Sequence, residues 1–193
     1  MHHIHHTEGI ILGSRNYGEA GKCYYVFTRD LGMIFASAQG VRKLSSKLRF
    51  VLQDYSYIKL DLVRGKEFWR LTSASKTNKL EGLTKDQNKF VVLVNIAKLL
   101  KRLLAGEDAN KVLFADLLEG LSILEKVEKE EELQNIEVIL VLRILDNLGY
   151  IGGNNIFENL VKSPFEKELL FSLTKNKKNV LQEINRALRE TQL

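Results

Sequence analysis

The sequence predicts an α+β chain in which a small basic β-barrel is followed by a bundle of helices. Three observations predict it. Before about residue 80 the apolar residues fall in short β-branched and aromatic runs divided by turn signals. After it they recur at helical spacing. The excess of positive charge is confined to the first part: residues 1–80 hold 13 Lys/Arg against 6 Asp/Glu, whereas residues 81–193 hold 16 against 18. The 193 residues suffice for one or two compact domains, and the expected division is residues 1–80 and residues 81–193.

Five strands are expected in the first part, at Ile10-Ile11-Leu12, Tyr24–Phe27, Met33–Ala38, Tyr55–Val63 and Phe68–Ser73. Turn signals at Asn16-Tyr17-Gly18, Arg29-Asp30-Leu31-Gly32 and Arg64-Gly65-Lys66 divide them. The fourth run alternates, with Ile58, Leu60 and Leu62 on one side and Lys59 and Asp61 on the other. In the fifth, Trp69 and Leu71 point inward. So many short strands in so few residues suit a closed or nearly closed barrel, because closure removes exposed edges.

Past Asn78 the period changes. Thr84-Lys85-Asp86-Gln87 reads as a capping box, and Phe90, Leu93, Val94, Ala97, Leu100, Leu103 and Leu104 then form a helical stripe ended near Gly106. A second helix is expected from Asn110 to about Val127. The acidic run Glu128–Glu132 is a solvated turn or helix start. A third helix, about Leu133 to Leu148, is apolar around most of its girth, interrupted by Glu137, Arg143 and Asp146-Asn147, and is expected at the centre of the bundle with Gly149 as its C′ residue. Gly152-Gly153-Asn154-Asn155 reads as a loop, Ser163-Pro164 as the start of a short helix through Leu173, and Val180, Leu181, Ile184 and Leu188 as a separate last helix.

Composition excludes several functions. No apolar run exceeds five residues, so no membrane span is expected, and the N-terminus lacks the pattern of a signal peptide. The single Cys23 excludes an internal disulfide and a multi-Cys zinc site, fits a reducing cytoplasm, and reads as a packing thiol within a strand. There is no Gly-rich phosphate loop, no His-Glu-x-x-His and no Gly-x-Ser-x-Gly. All four histidines lie at positions 2, 3, 5 and 6, leaving no histidine base for a later cleft. The chain is expected to be no enzyme, to use no cofactor, small-molecule substrate or metal, and to hold its His2-His3-Ile4-His5-His6 cluster as a mobile or strand-entry segment.

The informative segment is Gln39-Gly40-Val41-Arg42-Lys43-Leu44-Ser45-Ser46-Lys47-Leu48-Arg49, with four cations between positions 42 and 49 and no acid. Such a loop beside a barrel suits the tracking of phosphates, and Arg15, Lys22, Arg29, Arg64 and Arg70 extend it. Tyr17, Tyr24, Phe35 and Tyr57 are candidate stacking platforms for bases, each weighed against a place in the barrel core. A polyanionic partner, above all nucleic acid, follows from the charge division.

The order of motifs resembles the RecO family of bacterial DNA-repair mediators. The resemblance runs through Glu8-Gly9-Ile10-Ile11-Leu12, Tyr17-Gly18-Glu19, Phe27-Thr28-Arg29-Asp30-Leu31-Gly32 and Ala38-Gln39-Gly40-Val41-Arg42-Lys43 to Ser46-Lys47-Leu48-Arg49. It continues with Leu52-Gln53, Tyr55–Leu62, Leu71-Thr72, Leu113-Phe114 and Leu145-Asp146-Asn147-Leu148-Gly149-Tyr150. It implies an N-terminal OB-fold over residues 1–80 and an α-helical domain over residues 81–193. It also implies binding of single- and double-stranded DNA, annealing of complementary strands, and RecA loading with RecR. Contact with the acidic C-terminal tail of single-stranded DNA-binding protein and a cytoplasmic, nucleoid-associated location come with it. Arg42, Lys43, Lys47 and Arg49 carry over as the DNA-binding residues, with Arg15 and Arg29 beside them. Many relatives hold a four-Cys zinc site after the position of Gly149-Tyr150; this chain has no cysteine there, and the helical part is short for the family. An OB-fold RNA-binding protein and a non-catalytic adaptor are the alternative readings.

Overall fold

The structure, a computed structural model, describes residues 3–152 and 157–191. His2 of the histidine cluster, and Gly153, Asn154 and Asn155 of the expected loop, lie outside these. The five expected strands form: β1 (Ile4–Tyr17), β2 (Gly21–Thr28), β3 (Gly32–Ala38), β4 (Tyr57–Arg64) and β5 (Trp69–Lys76). They close into a barrel in the order β1-β2-β3-β5-β4, antiparallel except for the β3–β5 pair at Ala36↔Trp69 and Ser37↔Arg70. Every strand therefore has two neighbours, as expected from so many short strands, although the β3–β5 ladder is only two pairs long.

β1 is far longer than the apolar triplet that announced it. Its first half pairs with β4, from Ile4↔Val63 to Ile10↔Tyr57, and its second half with β2, from Gly9↔Thr28 to Tyr17↔Gly21. An irregularity between Ile11 and Gly13, where Gly13 takes φ 143°, bends the strand from one neighbour to the other. The polar residues at its two ends hid it, because a strand whose ends are solvated loses the apolar signal there. Ile4, His5 and His6 of the histidine segment are part of it, and His6 Nδ1 lies 2.6 Å from the Asp61 carboxylate across the β1–β4 ladder.

Inside the barrel, Ile11, Tyr24, Val26, Ile34, Ala36, Ala38, Ile58, Leu60, Leu62, Trp69 and Leu71 form one buried cluster, the inward parity of each strand. On the outward side Cys23 and Phe27 are also buried; burial raises the Cys23 thiol, although Arg15 acts against it.

Helices follow: α1 (Gln87–Leu103), α2 (Lys111–Lys126), α3 (Glu130–Asn147), α4 (Glu158–Lys162) and α5 (Lys167–Glu190). The cap of α1 differs from the expected box. Asp86 Oδ1 accepts the amides of Asn88 (2.9 Å) and Lys89 (3.1 Å), while Thr84 closes a preceding 3₁₀ turn, Glu81–Thr84. A carboxylate directly before the first turn is a stronger acceptor than a hydroxyl two residues further out. Asn110 caps α2 through the Leu113 amide, 3.0 Å, and Gly149 follows α3 with φ 80°.

Ser163-Pro164 does not start a helix. It lies in the connection between α4 and α5, and the two helices expected after it are one, α5, of 24 residues. The polar run Thr174–Asn179 that divided them has neither Gly nor Pro to stop a helix. Within it Asn176 donates to the Ser172 carbonyl (3.3 Å) and Lys177 to the Asn135 side chain on α3 (2.8 Å).

Contacts divide the chain into two compact units, residues 1–82 with 97–114 and residues 83–96 with 115–193. The first unit is the barrel with the end of α1, the start of α2 and the link between them. There Phe114 meets the rings of Phe27 (5.4 Å) and Tyr57 (6.3 Å), Arg64 pairs with Glu107, and the Met33 amide donates to the Gly106 carbonyl, 3.2 Å. Gly32, at φ 69°, leaves the space that the Asp108 backbone fills. The second unit is centred on α3, whose buried residues run from Leu133 to Leu145, as its nearly continuous apolar girth predicts.

Candidate nucleic-acid interface

The β3–β4 connection closes one end of the barrel. Gly40 (φ 66°) turns the chain sharply out of β3, the Arg42 amide donates to the Ala20 carbonyl in the β1–β2 turn (2.9 Å), and a 3₁₀ turn spans Lys47–Phe50. Val41 and Leu52 are buried in the barrel cluster, with Leu48 and Val51 packed against it. Seating these four apolar side chains fixes which way their neighbours face. Arg42, Lys43 and Lys47 are exposed and Arg49 is half-buried. Among the described residues none of the four is in an ion pair; the Arg42 guanidinium donates to the Glu19 carbonyl (3.3 Å) and that of Arg49 lies 5.1 Å from the Phe50 ring.

Two apolar residues of this loop also face solvent, Leu44 (86% exposed) and Phe50 (64% exposed). An exposed aromatic beside a guanidinium suits base stacking. Phe50 was missed because a Phe directly before Val51-Leu52 reads as part of an apolar run; the adjacent Arg49 was the signal.

The remaining predicted residues divide. Arg15 lies on the outer side of the barrel with its guanidinium 4.7 Å from the Phe35 ring. Phe35 and Tyr25 face each other across β2 and β3 (4.9 Å), Phe68 contacts Phe35 (6.0 Å) and Tyr17 (5.6 Å), and Lys101 caps the Tyr25 ring at 4.1 Å. Tyr17 is 47% exposed. This is a cation-bearing aromatic stripe on the outer face of β2 and β3, joined by residues from the β1–β2 and β4–β5 turns. Tyr25 and Phe68 were not among the expected platforms.

Arg29 is exposed in the β2–β3 turn, at the end of the ladder opposite Lys22 and Ala38, about 20 Å along the strand from the basic loop. Lys22 is half-buried, its ammonium 3.4 Å from the Ser14 hydroxyl. Arg64 is committed to Glu107. Arg70 is exposed on β5.

Tyr24 and Tyr57 belong to the interior. Tyr57 donates its hydroxyl to the Glu8 carboxylate, 2.5 Å, and burial together with that partner pushes the phenol upward. Tyr24 is 1% exposed, and burial, with Asp54 and Cys23 adding, pushes it up to about 12.

Among the described residues no cluster of three or more His, Cys, Asp or Glu is disposed to hold a metal ion, and no helix is long and apolar enough to cross a membrane. A groove in the helical unit is lined by Ile123, Val127, Phe165 and Leu170, with Glu132, Glu166 and Glu168 on its rim. Three carboxylates give it the wrong sign for an acidic peptide.

A closed five-stranded barrel with this strand order is an OB-fold, a class in which the β2–β3 face and the β1–β2 and β4–β5 loops hold oligonucleotides and oligosaccharides. Residues 1–79 match the family model described as the recombination protein O N-terminal domain. The chain is 31% identical over 147 residues to the DNA repair protein RecO of Heliobacterium modesticaldum, covering 76% of this chain and 52% of that one. To the RecO proteins of Alkaliphilus metalliredigens and Rubrobacter xylanophilus it is 27% identical, covering 74% and 76% of this chain and 57% and 58% of theirs. The chain is thus recognised as a relative of the RecO DNA repair proteins, with a RecO-type N-terminal domain, and it spans about half the length of the curated relatives it matches.

Proposed function

We propose that the chain is a non-catalytic DNA-repair protein that binds single-stranded DNA and promotes the pairing of complementary strands. The observation that carries this reading is the end loop of the barrel, where among the described residues none of the four cations is in an ion pair, and where Val41 and Leu52 on either side, with Leu48 between, are drawn into the core. The relatives are DNA repair proteins, which supplies the context. Nothing in the mechanism requires a bond to be made or broken. Arg42, Lys43, Lys47 and Arg49 neutralise phosphates and release condensed counterions, Phe50 and the Tyr17–Phe68–Phe35–Tyr25 stripe offer π faces to unstacked bases, and two strands so screened repel each other less when they meet. Arg15 adds charge to the aromatic stripe, and Arg29, at the far end of the ladder, serves a strand that runs the length of the barrel.

Within the same reading, DNA binding belongs to residues 1–80 and partner binding to residues 81–193, with RecR and the acidic tail of single-stranded DNA-binding protein as partners in RecA loading. Double-stranded DNA is held by the same phosphate contacts, and the place of action is the cytoplasm, at the nucleoid. The acidic groove on the helical unit is not the tail's seat.

The test is a salt titration of oligothymidylate binding. With four cations engaged, log K should fall against log salt with a slope of about −3. Changing Arg42, Lys43, Lys47 and Arg49 together to Ala should flatten that slope to near zero for the loop's share and weaken all sequences alike. A quadruple variant with the wild-type slope would remove the site. Annealing of strands coated with single-stranded DNA-binding protein, with and without its tail, tests the mediator role separately.

A further inference from the structure

The cations of the end loop do more than coat a surface: two of them wall a pocket. A cavity of about 280 Å³ opens at the end of the barrel and is lined by Lys22, Tyr24, Val41, Arg42, Arg49, Leu52 and Gln53. This is slightly below the about 300 Å³ at which pockets for drug-sized ligands begin, so it suits a small group or a single nucleotide.

Its floor and walls follow from the strand parity. Lys22 and Tyr24 share the inward side of β2, and Val41 and Leu52 are the two residues by which the loop plugs the barrel. The cations keep most of their hydrogen-bonding capacity. Lys22 uses one of its three donors on Ser14, and Arg42 one of five on the Glu19 carbonyl. Gln53 donates to the Arg49 carbonyl.

Tyr24 is the second, independent observation. Its side chain is 1% exposed, and its hydroxyl has no hydrogen-bond partner among the described residues. A buried polar group left unmatched in the folded chain is uncommon and asks for a ligand or an ordered water. With the phenol pushed up to about 12 by burial first and then by Asp54 and Cys23, it remains a donor at neutral pH. The three lining cations outnumber the one carboxylate, Asp54, that Tyr24 senses.

We propose that this pocket takes one phosphate group, held by Lys22, Arg42 and Arg49 and by a hydrogen bond donated from the Tyr24 hydroxyl. The inference rests on the nucleic-acid reading of the loop and adds Lys22 and Tyr24 to it as binding residues. The phosphate comes from one of two sources, an internal phosphodiester of a strand or a phosphomonoester at a strand end.

The experiment uses the full chain and a hexathymidylate carrying either a 5′-phosphate or a 5′-hydroxyl, with inorganic phosphate as competitor. Tyr24→Phe keeps the buried ring and removes only the unpartnered hydroxyl, so it should melt no lower than the wild type. It should weaken binding roughly tenfold, the usual loss for a hydrogen bond to a charged group. Lys22→Gln should act in the same direction. A loss confined to the 5′-phosphorylated strand identifies a strand end; an equal loss for both identifies an internal phosphodiester. Wild-type affinity for both oligonucleotides in both variants overturns the pocket. Lys43→Ala with Lys47→Ala, which lie outside the pocket, separates the two readings. If that pair weakens binding while the pocket variants do not, only the pocket falls; if none of the variants matters, the loop falls as well.

Discussion

Arg143 shows how one residue can organise a helical core. It breaks the apolar girth of α3, and it is buried to 3% exposure. Its Nε donates to the Leu160 carbonyl (3.0 Å), Nη1 to Asp116 (3.2 Å) and Nη2 to the Ser163 carbonyl, while the guanidinium lies 4.1 Å from the Phe165 ring. Burial lowers the arginine and raises Asp116 against their mutual attraction, so the pair is strained by desolvation and held by geometry. One side chain therefore ties α2, α4 and the α4–α5 connection to α3. Removing it leaves a carboxylate and two carbonyls without their donor. Arg143→Ala should cost about 3–5 kcal/mol in urea unfolding. A loss under about 1 kcal/mol would show that these groups find water instead. The sequence marked Arg143 as an interruption of α3, but an interrupting charge ordinarily faces solvent. Only the packing of α4 beneath it makes it a buried staple.

At the scale of elements, the strands and helices were legible where a period persisted and the ends were not. β2 to β5 and α1 to α3 lie within a few residues of their apolar patterns. The ends of β1 are polar, so its length was invisible, and α4 is a short turn with too few positions to show a period. The joining of two expected helices into α5 has a physical cause. Its buried line, Leu169, Leu173, Val180, Ile184 and Ala187, skips one turn, and the skipped turn is held by Asn176 bonding back to the Ser172 carbonyl of its own helix and by Lys177 reaching Asn135 on α3 instead of by apolar burial. The caps at Asn110 and Gly149 were legible in place, whereas that of α1 lies at Asp86, two residues beyond Thr84. Asp86→Ala should destabilise the chain by about 1 kcal/mol in thermal or urea unfolding, through loss of the two amide bonds it accepts. A variant that unfolds like the wild type would show that α1 is fixed by packing alone.

For the whole molecule, the compact units do not follow the chain in a single break. Residues 97–114 belong with the barrel, because Phe114 covers Phe27 and because Glu107 and Lys111 pair with Arg64 and Asp30. Burial would raise Asp30, but the hydrogen bond from Thr7 and the Lys111 ammonium outweigh it and hold the carboxyl below its ordinary value. A fragment of residues 1–80 should accordingly melt below a fragment of residues 1–114. Exposing Phe27, now fully buried, costs roughly 1.5–3 kcal/mol by itself. Equal melting temperatures in calorimetry would show that the barrel needs nothing from α1 and α2.

The sequence by itself determined the class of fold, because alternation at a period of two and stripes near 3.6 are imposed by backbone geometry and survive without any partner. It also determined the charge division and the basic loop, since a run of cations without acids is a local fact. The tertiary structure decided which of those cations meet: Arg42 and Arg49 close on Lys22 and Tyr24 only because Val41 and Leu52 are drawn into the barrel, while Arg29 is carried to the far end and Arg64 is neutralised by Glu107. It likewise decided which aromatics face solvent, putting Tyr24 and Tyr57 inside and Phe50 and Tyr17 outside. Burial of a given side chain depends on contacts between residues distant in the chain, and no local pattern encodes that.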